Sequence, residues 1–72
     1  MILSVDQMVR IASAGGGLDL SSQILSVDQL VRIASAASNH KAMIIVPTKD
    51  FILSVDQMVR IASAGKGAVV FK

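Results

Sequence analysis

Very few side chains in this sequence could do chemistry. There is one histidine, His40, and there is neither a cysteine nor a glutamate. An imidazole beside Lys41 could act as a base or hold a metal only with acidic, thiolate or second imidazole partners, and none is placed to serve. His40 therefore reads as a surface loop residue. The serines form no Gly-x-Ser-x-Gly elbow. Gly15-Gly-Gly17 and Gly65-Lys-Gly67 invite a phosphate-loop reading, but such loops open helices, whereas these glycines close them and present carbonyls. That leaves Arg10, Arg32 and Arg60, which recur with Asp6, Asp28 and Asp56. Stacked in a row, the arginines could recognise a phosphate or an acidic partner; alternating charge also describes a solvated face. No catalytic, cofactor-binding or metal residue is assigned, and neither a cofactor nor a small-molecule substrate is expected.

The elements that carry this row are three near-identical stretches. Ile2-Leu-Ser-Val-Asp-Gln-Met-Val-Arg-Ile-Ala-Ser-Ala-Gly15 returns at 24–37 and 52–65, altered only at Leu30 and Ala37. Each stretch predicts a short helix. Ser4, Ser26 and Ser54 are suited to cap it, and Gln7, Gln29 and Gln57, three residues on, complete capping boxes. Leu3 and Met8 can staple the entry, and Asp6 sits in the first turn, where the helix dipole favours negative charge. Val5, Met8, Val9 and Ala12 follow helical spacing, with Ile11 widening the stripe. Asp6 and Arg10 stand at i, i+4 in the favourable order. Gly15 and Gly65 suit the left-handed residue that ends a helix. Ala37 replaces that glycine in the second copy, so this helix should continue to about Asn39.

Between the helices lie short apolar segments. Leu18–Ser21 reads as a strand with one apolar face, and Ser21-Ser-Gln23 as a turn back to Ile24. Ala42–Val46 is the strongest strand, ended by Pro47, which has no N–H to give a ladder. Thr48-Lys-Asp50 forms a turn, and Ala68–Phe71 a last strand. The order α-β-α-β-α-β, in units 2–23, 24–51 and 52–72, predicts an α/β fold of one domain. The expected form is a three-repeat α-β solenoid, a leucine-rich-repeat-like coil: a parallel sheet joined by right-handed crossovers, with all helices on one face. The methionines Met8, Met43 and Met58 read as core filler.

A chain of 72 residues is near the lower size limit for folding without staples, yet its mean hydropathy is +0.66 and 53% of its residues are hydrophobic. No apolar run approaches the roughly 18 residues of a membrane span, and Asp6 and Arg10 interrupt any signal-peptide core. A cytoplasmic protein is expected, with no membrane partner. The net charge of +2 gives no basic stripe.

Leu3-Ser-Val-Asp-Gln-Met-Val-Arg-Ile-Ala-Ser-Ala-Gly-Gly-Gly17 resembles the first half of a transcription-activator-like effector repeat. Units of that family open with Leu-Thr-Pro-Glu-Gln-Val-Val-Ala-Ile-Ala-Ser, then a base-reading pair and Gly-Gly. The resemblance covers about 15 residues of each copy. It would place the reading pair at Ala14-Gly15, Ala36-Ala37 and Ala64-Gly65, and implies DNA major-groove binding by a superhelix.

The preferred functional expectation comes from the strands. If helices cover one face of the sheet, apolar side chains on the other face want a cover that nothing else in the chain supplies. A non-enzymatic interaction module is expected, a homo-oligomer that associates through an apolar sheet face. Met43, Ile45, Val69 and Phe71 are the candidate contact residues. The alternative is a small DNA-binding repeat protein that uses loop lysines and the arginine row.

Overall fold

The computed structural model describes residues 3–20, 25–40, 42–49 and 51–72. The turn expected at 21–23, Ile24, Lys41 and Asp50 lie outside the described residues. Three helices alternate with three strands: α1 (Val5–Ser13), β1 (Leu18–Asp19), α2 (Val27–Ser38), β2 (Ile44–Val46), α3 (Val55–Gly65) and β3 (Val69–Phe71). The protein is thus α/β, as the alternation of elements predicts.

Each helix starts on its capping box. The Gln7 N–H donates to Ser4 Oγ (3.1 Å) while the Ser4 N–H donates to Gln7 Oε1 (2.9 Å). Ser26 with Gln29, and Ser54 with Gln57, repeat this exchange at 2.9 and 3.2 Å. Two otherwise orphaned donors are satisfied at every helix start. The helices differ at their ends. In α1, Gly15 takes a positive φ of 90° just past the last turn. α2 runs on to Ser38 with Asn39 as its cap, as the Gly-to-Ala change at position 37 predicts.

At α3 the expectation needs correcting. Gly65 is still helical, and Lys66 takes the left-handed conformation, φ 50° and ψ 46°. Packing supplies the reason. A Cβ on Gly65 would collide with Val69 Cγ2 and touch Ala34 Cβ. The glycine is thus needed for close approach, and the turn falls one residue later.

The strands form one parallel sheet in the order β1-β2-β3. Leu18 lies opposite Ile44, and Ile44 opposite Val69; Val46 lies opposite Phe71. These strands are shorter than the segments 18–21, 42–46 and 68–71 that were expected to form them. Main-chain bonds extend the ladder past both ends of the strands, from Ile44 N–H to Ala68 O (2.7 Å) at one end and from Lys72 N–H to Val46 O (3.0 Å) at the other. β2 stops at Val46, immediately before Pro47.

Leu20, Ile44 and Val46 are buried in one cluster with Met8, Leu30 and Ile33 from the helices. At about 1.5–3 kcal/mol for each large aliphatic side chain, this burial is the main force holding helices to sheet. α2 packs against both α1 and α3, and so stands between them.

Candidate functional site

Sequence spacing suggests Asp6 with Arg10 inside one helix. Among the described residues the pairs instead cross between helices: Arg32 Nη2 donates to Asp6 Oδ1 at 3.1 Å, and Arg60 Nη2 to Asp28 Oδ1 at 2.9 Å. An aspartate in the first turn of one helix thus holds the arginine of the next. The i, i+4 rule describes a solitary helix; here the preceding helix offers Arg32 and Arg60 a carboxylate at hydrogen-bonding distance. All four side chains are more than half exposed, so each pair adds about 0–1 kcal/mol. The charged row leaves one member over at each side. Arg10 on α1 and Asp56 on α3 form no ion pair among the described residues.

Burial divides the three segments in the same direction. Met8 and Ala12 of α1 are fully buried, as are Leu30 and Ala34 of α2. Their counterparts in α3 are not: Met58 is half-buried and Ala62 exposed. Val55 and Val59 of α3 are 70% and 57% exposed, and Ile52 just before it is 98% exposed. On the other flank the pattern reverses. Ile33 and Ile61 are fully buried, while Ile11 is only half-buried. Gln7 and Ala14 are exposed where Gln29, Gln57, Ala36 and Ala64 are half-covered. A groove of about 380 Å³ runs along this flank of α1, lined by Leu3, Gln7, Arg10, Ile11 and Ala14.

The four residues expected to share a sheet surface are split by the register. Val69 and Phe71 align with the buried Ile44 and Val46 and pack against the core. Met43, 46% exposed, and Ile45, half-buried, lie on the opposite side with Val70, Ile45's partner. Nearby, a depression of about 520 Å³ at the ends of the strands is lined by Asp19, Ile45, Pro47, Thr48, Lys49 and Lys72. Among the described residues no polar or charged side chain is buried, so this depression has none of the enclosed polar groups that orient a small ligand. Of the three methionines read as core filler, only Met8 is fully buried.

His40 is exposed in the turn after α2. No group of three or more His, Cys, Asp or Glu among the described residues could hold a metal ion. Nor is any described helix long and apolar enough to cross a membrane. Of the positions that the effector-repeat resemblance marks as base-reading, Ala37 and Gly65 are buried and Gly15 is exposed. No family model, curated protein or solved structure matches the chain.

Proposed function

We propose that this chain is a non-enzymatic interaction module whose working partner is a second molecule of itself. On this reading it is a short α/β solenoid, each α-β unit stepping sideways to place its helix beside the last and its strand beside the last. The helices lie on the side of the sheet that carries Leu20, Ile44 and Val46. One observation carries the reading: Ile52, Val55, Val59 and Met43 are large apolar side chains left exposed on a chain of 72 residues. Molecules this small expose some apolar surface as a matter of geometry, but adjacent valines on one helix flank form a patch of the kind that contacts cover.

Less supports a nucleic-acid reading. Two of the three arginines are already tied to aspartates, so the row offers a polyanion one unopposed guanidinium rather than three.

Molar mass in solution tests the proposal. Light scattering from micromolar upward should give a mass well above 7.5 kDa, rising with concentration. A mass fixed at the single-chain value throughout would end the self-association reading.

A further inference from the structure

We infer that the molecule assembles head to tail, the α3 flank of one molecule seating on the α1 flank of the next, with Asp56 of the first holding Arg10 of the second. This rests on the self-association reading and specifies its geometry. The occupant of each flank is a second copy of this chain, and the chain itself supplies the template, because the same junction already occurs twice within it. At α1/α2 and α2/α3, the leading helix gives its Met8 or Leu30, its Ala12 or Ala34, and its Asp6 or Asp28. The following helix gives its Ile33 or Ile61 and its Arg32 or Arg60. α3 leaves the first set incompletely covered, with Ala62 and Asp56 exposed and Met58 half-buried, and α1 leaves the second set so, with Arg10 exposed and Ile11 half-buried. The two flanks are therefore complementary halves of one contact, each lacking its other half. Charge agrees with shape, since the unpaired acid and the unpaired base stand on opposite flanks in the order the internal pairs use.

The sheet offers the same continuation. The Ala68 carbonyl and both main-chain groups of Lys72 bond to β2 and its flanking residues. In a parallel ladder the alternation then turns the N–H and C=O of Val69 and Phe71 to the outer edge. A strand arriving with the next molecule would meet them.

A contact between unlike surfaces need not stop at two molecules, so growth should continue with concentration. Four proteins test this by sedimentation velocity in low salt, each first checked for native circular dichroism. Wild type should grow without a plateau at two chains. Val55→Lys with Val59→Lys changes only exposed side chains of the single molecule and should stay monomeric. Arg10→Asp alone and Asp56→Arg alone should each associate about tenfold more weakly, as an exposed attraction turns into a repulsion. Mixing these two charge variants should restore growth, because each then meets its opposite. Association that halts at two chains and ignores the charge changes would overturn the head-to-tail geometry while leaving self-association standing. Monomer in all four proteins would overturn both.

Discussion

α2 and α3 carry nearly the same sequence and live in different surroundings. α2 has a helix on each side; α3 has one on a single side. Ala34 is fully buried while Ala62, the same residue in the same place, faces water. Between α1 and α3 the contrast inverts: Ile11 is half-covered where Ile61 is fully covered. Helical spacing says which residues share a stripe, but the neighbours decide how much of that stripe is interior. Identical residues at equivalent positions should therefore differ in what they contribute, and this difference can be measured one substitution at a time.

The largest contrast should come from the isoleucines. Ile33→Ala and Ile61→Ala each remove a fully buried side chain and should lower stability by about 2–5 kcal/mol, enough to unfold much of a domain this small. Ile11→Ala should cost less than half as much. Urea titration followed by circular dichroism would read all three, and equal losses would break the comparison. Next come the alanines. Ala34→Leu overfills a packed site and should cost about 1–3 kcal/mol, whereas Ala62→Leu should fall within about 0.5 kcal/mol of wild type.

Smaller effects belong to the caps, where the three segments should agree rather than differ. Ser4→Ala, Ser26→Ala and Ser54→Ala each remove one exposed local bond and should each cost about 1 kcal/mol. A cap that mattered far more in α2 than in α3 would show that tertiary contacts reach even the helix starts. The smallest change expected is at the ion pairs. Asp28→Asn should cost no more than about 1 kcal/mol, and the loss should shrink as salt rises. Asp56→Asn breaks no ion pair among the described residues and removes only a first-turn charge facing the α3 dipole, so it should cost less than Asp28→Asn.

This pattern also explains what was legible beforehand. The capping boxes were readable at Ser4, Ser26 and Ser54 because their partners stand three residues away. So was the longer α2, because Ala37 removes a local stop. The α/β alternation followed from the contrast between helical spacing and the branched residues of 44–46. Features that depend on a neighbour were not legible. Arg32 bonds to Asp6 across 26 positions, and nothing in either segment shows that distance. Gly65 looks like a helix stop from its type alone; its role is to let Val69 and Ala34 come close, which only packing reveals. The phase of β3 relative to β2 depends on the turn through Lys66 and Gly67, so Val69 and Phe71 could not be assigned a side from alternation alone. Three matched segments also carry no mark of how differently a central helix and its two flanking helices are buried.

Lys66 is the only described non-glycine with a positive φ, a conformation that crowds its Cβ against its own backbone. The chain holds this posture because Gly65 is occupied with keeping α3 close to β3. Replacing Lys66 with glycine should therefore release stored backbone strain and raise the melting temperature, the reverse of what loosening a loop normally does.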